Sequence, residues 1–216
     1  VKKIEQAYQS IYAETKETLN DNIKIASLKS GIEAELKKIG ATIFHKLNLT
    51  DVELALFDYT LNVSRTLIVG NDTEKKQLFS AIAYNDAILN IYASLFIERF
   101  KSKLDNANKK FVVEIWHTKQ IVGMFFKMIP VSKYTTPITW VKKQNDAAFL
   151  TLLSQIGSER ITDKLFVQKD IRGFGNNGED FFIIKPNEMR LWHKAIGYLD
   201  VNEFAEAIIT AGRGEQ

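Results

Sequence analysis

A chain of 216 residues, 45% hydrophobic and 25% charged, has material for one large packed domain or two small ones. It contains no cysteine, which excludes disulfides, thiolate zinc sites and cysteine nucleophiles. No apolar run approaches the roughly 18 residues that a membrane helix needs, and the charged start does not read as a secretory leader. A cytoplasmic protein without membrane association is expected. The first residue is Val1 rather than Met, as in a piece of a larger protein.

Val1 to about Lys46 reads as two helices. Ile4, Ala7, Tyr8, Ile11 and Tyr12 share one face, then Ile25, Leu28, Ile32, Leu36, Ile39 and Ile43 share another. Asn20-Asp21-Asn22 supplies the turn, so an antiparallel helical hairpin is expected, with a coiled coil as the alternative. Thr50-Asp51 with Glu53 forms a plausible cap and acidic first turn. Val52 to Val69 is too apolar for a surface helix and reads as a largely buried one. A strand over Thr60–Val69, rich in β-branched residues, is its rival. Thr73 to Leu104 is then the longest expected helix, with Leu78, Ile82, Ile88, Tyr92, Leu95, Phe96 and Phe100 inward. Asp105 to Asn108 is a loop.

At Lys109 the period changes to two. Phe111–Thr118 and Ile121–Pro130 read as paired strands around Lys119-Gln120. Val131 to Lys143 is expected to be mobile, Ala147–Ile156 a short helix and Leu165–Asp170 a third strand. The glycines from 173 to 178 form a loose loop, and Phe181–Lys185 a fourth strand. Val201–Ala211 reads as a final helix with Asp200 as N-cap. The expected class is α+β: a helical half, 1–108, packed against a mixed half, 109–216, with a mainly antiparallel four-stranded sheet and a C-terminal helix. One continuous domain is the alternative.

Most chemical motifs fail on context. Gly173, Gly175 and Gly178 match G-x-G-x-x-G, but the run precedes a strand instead of opening a helix, so no nucleotide cofactor is expected. His45, His117 and His193 lack metal-ligand spacing. The positions two before Lys169 and Lys185 are Val167 and Ile183, where a metal-dependent nuclease needs an acid. Ser80, Ser94 and Ser154 lack a nucleophile elbow. No catalytic residue, metal or cofactor is assigned, although a metal-dependent nuclease stays as the lesser alternative.

Charge says more. Lys101 to Lys143 holds nine lysines against two acids, Asp105 and Glu114, while the whole chain is only +3. Lysines near aromatics suit phosphate contacts with base stacking. The expected nucleic-acid site is Lys109, Lys110, Trp116, His117, Lys119, Lys133, Trp140, Lys142 and Lys143. Lysines that merely protect sheet edges are the alternative. A second patch gathers Lys185, Arg190, Trp192, His193 and Lys194, unless Trp192 instead locks sheet to terminal helix through its ring and indole N–H.

The string Ile184-Lys185-Pro186-Asn187, followed by Trp192-His193, Ala195 and Asp200, resembles the C-terminal ending of some large bacterial N6-adenine DNA methyltransferases and other restriction or phage-defence proteins. The hairpin with Val113-Glu114-Ile115-Trp116 and Gly123-Met124-Phe125-Phe126 is similar in flavour. The methyltransferase hallmarks, Asn-Pro-Pro-Tyr and a Phe-x-Gly-x-Gly loop, are absent. The resemblance therefore implies a non-catalytic accessory or recognition piece with DNA or another nucleic acid as partner. A protein-interaction or oligomerisation module, homodimeric or bound to a larger protein, is the alternative, suggested by the apolar excess of Val52–Val69 and Ala81–Phe100.

Overall fold

The computed structural model describes residues 46–142, 171–174 and 180–213, with scattered further positions (5–6, 9, 31, 34–35, 38–40, 42–44 and 147). The chain divides into two compact units, Val1–Leu54 and Ala55–Gln216. The boundary expected near residue 108 falls inside the second unit. The described positions before 48 are helical, and the rest of the expected hairpin lies outside the described residues. Thr50 and Glu53 form a reciprocal cap: Thr50 N–H donates to Glu53 Oε2 (2.8 Å) and Glu53 N–H donates to Thr50 Oγ1 (3.3 Å). That cap holds the Glu53 carboxyl below its ordinary pKa, through the Thr50 backbone N–H first and its hydroxyl second.

From there the backbone stays helical through α1 (Asp51–Tyr59), a π-helical stretch Thr60–Ser64 and α2 (Arg65–Val69). The strand alternative is thus excluded. Burial is the opposite of expectation. Only Ala55 and Val63 are buried, whereas Leu56, Phe57, Leu61, Ile68 and Val69 are exposed. Apolar content predicts the helix but does not supply a partner for each face.

The long helix expected over Thr73–Leu104 is broken into α3 (Asp72–Leu78) and α4 (Ala87–Leu104). Asn71 and Glu74 make the capping box of α3, and Asp86 caps α4 by accepting from Ile88 N–H (2.9 Å). Between them Asn85 takes φ 62°, a left-handed conformation that asparagine tolerates. The break has a tertiary cause. The backbone of Ile82 is engaged by a distant side chain: its N–H donates to Asn187 Oδ1 (2.9 Å) and its carbonyl accepts from Asn187 Nδ2 (3.2 Å). A helical Ile82 would spend those groups on its own turns.

The second unit is α+β with a mixed five-stranded sheet in the order β3-β1-β2-β5-β4. The strands are β1 (Lys109–His117), β2 (Ile121–Pro130), β3 (Ile138–Lys142), β4 (Ile171–Phe174) and β5 (Phe181–Pro186). β3 runs parallel to β1 and the other pairs are antiparallel. Two strands replace expected irregular segments. β3 lies in the stretch expected to be mobile: Pro137 needs no N–H there, since its carbonyl accepts from Val113 N–H (2.8 Å). β4 uses Gly173 for close approach, not for a loose loop, because a Cβ there would sit 3.1 Å from the Phe182 ring. The strand expected at Leu165–Asp170 and most of the helix expected at Ala147–Ile156 lie outside the described residues.

Alternation along the strands sorts two faces. Phe111, Val113, Ile115, Val122, Met124, Phe126, Phe181 and Ile183 face a core closed by α4 and by α5 (Lys194–Arg213). Phe182 and Ile184 face the other side, with Trp116, Ile121 and Phe125 against them. The terminal helix begins at Lys194, not Val201, so Asp200 is an interior residue and caps nothing. Its carboxylate is instead buried, as described next.

Candidate nucleic-acid interface

The expected lysine–aromatic site is divided by the hairpin. Lys109 and Lys110 open β1 and pair with Pro130 and Ile129, which places Lys133, in the 3-10 turn Val131–Lys133, at the same end of the sheet. His117, Lys119 and Lys142 lie at the other end, where Lys142 is in register with His117. The seven residue-to-residue steps from Lys110 to His117 separate the ends by roughly 23 Å at ~3.3 Å per step. Lys110 is already matched by Asp105 (3.3 Å). Burial alone would raise the Asp105 carboxyl, but the Phe111 N–H bond and Lys110, with Lys101 beyond, hold it below the usual value. Trp116 turns to the second face of the sheet, packs on Phe125 (4.6 Å) and donates its indole N–H to Glu114, which also pairs with Lys127. Lys143 lies outside the described residues.

What the fold gathers is an edge around Tyr84, a residue that sequence reasoning did not select. The break before α4 presents Tyr84 at 41% exposure. Its ring meets Trp140 (5.2 Å) and His117 (5.8 Å) at near right angles, and Lys142 Nζ stands 5.9 Å from its centroid. Trp140 is fixed by donating to Asn90 Oδ1 (3.0 Å). Lys119, in the turn between β1 and β2, is exposed beside His117 in sequence. His117 itself is closed off: its Nε2 faces the Ile82 carbonyl at 2.9 Å, so that nitrogen carries the hydrogen and the ring braces the loop. Only the Asn85 left-handed position and the Asp86 cap, read together, signal that Tyr84 would be displayed.

The second expected patch does not share a surface. Lys185 and Trp192 are buried, at 3% and 0% exposure. Lys185 Nζ lies against Asp200 Oδ2, donates to Tyr92 Oη (3.0 Å) and sits 5.5 Å from the Trp192 ring. Tyr92 Oη donates to the same carboxylate oxygen, and Arg172 Nη2 reaches Asp200 Oδ1 at 3.0 Å. Trp192 donates its indole N–H to the Pro186 carbonyl (3.0 Å), the geometry of a lock between sheet and terminal helix. Asn187 also donates to the Thr118 carbonyl (2.9 Å). His193 Nδ1 accepts from Ala195 N–H (3.1 Å), so Nε2 carries the hydrogen that reaches Asp58 Oδ2 (2.9 Å). Arg190 pairs with Glu188 (2.7 Å) and lies 4.4 Å from the Phe79 ring, while Lys194 lies 5.6 Å from the Tyr198 ring. The Lys-Pro-Asn…Trp-His…Asp string thus serves the interior.

Among the described residues, no three of His, Asp and Glu gather as a metal ion would require, and no helix is long and apolar enough to cross a membrane. Comparison with protein-family models, curated proteins and solved structures finds no match.

Proposed function

We propose that this chain is a non-catalytic nucleic-acid-binding or recognition component of a bacterial DNA-modification or phage-defence system. The observation that carries the binding reading is the Tyr84–Trp140–Lys142 edge. A half-exposed ring is held rigid by two neighbouring rings, with one lysine over it and Lys119 on the adjoining turn. A nucleobase stacked on Tyr84 would leave its phosphates within reach of Lys142 and Lys119, and every base has a face that stacks. The bacterial defence context rests on the resemblance of the Lys-Pro-Asn…Trp-His ending.

The test is fluorescence anisotropy with labelled single- and double-stranded DNA at low and moderate salt. Binding weakens steeply with salt as phosphate contacts release counterions. Tyr84→Ala costs about 1–3 kcal/mol of binding, the usual value of one stack. Lys119→Glu with Lys142→Glu lowers affinity further without altering the melting temperature. No binding at micromolar protein in low salt would defeat the proposal.

A second reading has its own observation. Ile68 and Val69 are 77% and 68% exposed, and Leu56, Phe57 and Leu61 each exceed 40%, all within one helical run. Contiguous apolar exposure of this kind marks protein interfaces. A self-associating or partner-bound module would show it as a dimer in multi-angle light scattering, lost on Ile68→Glu with Val69→Lys. A monomer at high concentration counts against self-association.

A further inference from the structure

The loop that displays Tyr84 displays a second ring. Phe79 follows the last turn of α3 and is 48% exposed, although phenylalanine is ordinarily an interior residue. The Arg190 guanidinium lies 4.4 Å from its centroid and is itself held by Glu188 (2.7 Å), with its side chain only 18% exposed. A cation fixed over one face steadies the ring, so the exposed area belongs to the opposite face and the rim. Phe79 and Tyr84 are five residues apart, a distance that an extended chain spans in at most about 18 Å. Ser80, Ala81 and Ala83 between them are exposed and small, whereas Ile82 turns inward at 4% exposure. The two rings therefore flank a low saddle.

Asn187 fixes the saddle and its neighbour at once. Its side-chain amide bonds the Ile82 N–H (2.9 Å) and carbonyl (3.2 Å) and also the Thr118 carbonyl (2.9 Å), while its own N–H donates to the Gln120 carbonyl (2.7 Å). Lys119, exposed between Thr118 and Gln120, thus stands in the turn beside the saddle. Met189 N–H donates to the Ser80 carbonyl (3.0 Å) and ties the Phe79 end to the turn that carries Arg190. A duplex hides its base faces in its own stack, so two separated ring platforms suit unpaired bases. A strand stacked at ~3.4 Å per nucleotide crosses the saddle in at most about five nucleotides. We infer, resting on the nucleic-acid reading of the Tyr84 edge, that the ligand is a single strand crossing this loop, with one base on Tyr84, another on Phe79 and an intervening phosphate at Lys119. Arg190 is a positioning residue: it holds the Phe79 ring, and its charge is already matched by Glu188.

Displacement of a labelled decathymidylate, read by fluorescence anisotropy on the full chain, tests the path. Unlabelled di-, tetra- and hexathymidylate and a blunt duplex are the competitors. The hexamer is expected to bind about tenfold or more tighter than the dimer, since only the longer strand reaches both rings. The single strand is expected to outcompete the duplex. Phe79→Leu keeps apolar bulk and the melting temperature, weakens the hexamer about tenfold and leaves the dimer within about twofold, so the gain with length is lost. A Phe79 that merely shaped the loop would lower every length alike. Phe79→Leu that binds every length as the parent does, or weakens every length equally, overturns the inference. So does a duplex that competes as well as the strand. In each of those cases a loss on Tyr84→Ala still supports the Tyr84 edge as a binding site, whereas a decathymidylate that does not bind at all removes both.

Discussion

Asp200→Ala is expected to remove about 3–5 kcal/mol of stability, the range for breaking a buried ion pair by deleting one partner. For a domain of this size that is roughly a fifth or more of an ordinary total of about 5–15 kcal/mol. The carboxylate is the common acceptor of three donors. Lys185 and the Tyr92 hydroxyl meet one oxygen, and Arg172 meets the other at 3.0 Å. Without it the Lys185 ammonium, 3% exposed, loses the carboxylate and keeps its neutral contacts with Tyr92 Oη and the Leu191 carbonyl (3.4 Å). Arg172 is better placed, since it also bonds Glu203 at the surface. The asymmetry sets the order of variants. Lys185→Met should cost less than Asp200→Ala, because Asp200 keeps Arg172 and Tyr92. Lys185→Met combined with Asp200→Leu should recover much of the loss, since apolar replacement of a buried pair is often neutral. Urea titrations followed by circular dichroism report the midpoints. Equal losses for the two single variants would contradict the shared-acceptor account.

Phe96→Ala should cost about 3–5 kcal/mol, the range for emptying a large buried aromatic site. Phe96 is fully buried at the centre of α4. Its ring stacks on Phe126 at 4.3 Å and meets Phe181 and Phe204, each at 6.2 Å, so one side chain joins α4 to β2, β5 and α5. Collapse around the vacancy is limited because Phe126 and Phe181 are held by sheet pairing (4.6 Å apart, 17°). Phe96→Leu retains most of the volume and should cost less than half as much. A midpoint for Phe96→Ala within error of the parent would mean that the stack does not hold the helix to the sheet.

Legibility followed the range of the interactions. The hairpin of β1 and β2 could be read because its period-two pattern is local and its turn is short. β3 was hidden because its five residues pair with β1, and Pro130 and Pro137 make the segment look irregular. The break at Ile82 was invisible for a different reason. It is imposed from Asn187, over a hundred residues away, against a local pattern that favours helix. Asp200 stands just before the Val201–Ala211 pattern and looked like its cap, yet α5 already begins at Lys194 and runs through Gly197, where a Cβ would come within 3.1 Å of the Tyr92 ring. The lysines were counted correctly as a sequence cluster. A hairpin folds such a cluster to both ends of a sheet, so proximity in sequence became separation in space. The exposed apolar face of α1 and α2 illustrates a third limit: composition gives the amount of apolar surface but not its destination.

The sheet order also has a consequence in time. β2 sits between β1, its immediate neighbour in the chain, and β5, which follows only after residue 180. During synthesis α4 and the hairpin emerge with Phe96, Phe111 and Phe126 already in place, but the rings that close over them, Phe181 and Phe204, lie up to roughly 70 residues further on. At ~5–20 residues per second that interval lasts about 4–15 s, far longer than a hairpin needs to form. For those seconds the nascent chain carries an aromatic face and an unpaired β2 edge that only its own tail can cover, which makes it a natural client for chaperones that bind at the ribosome exit.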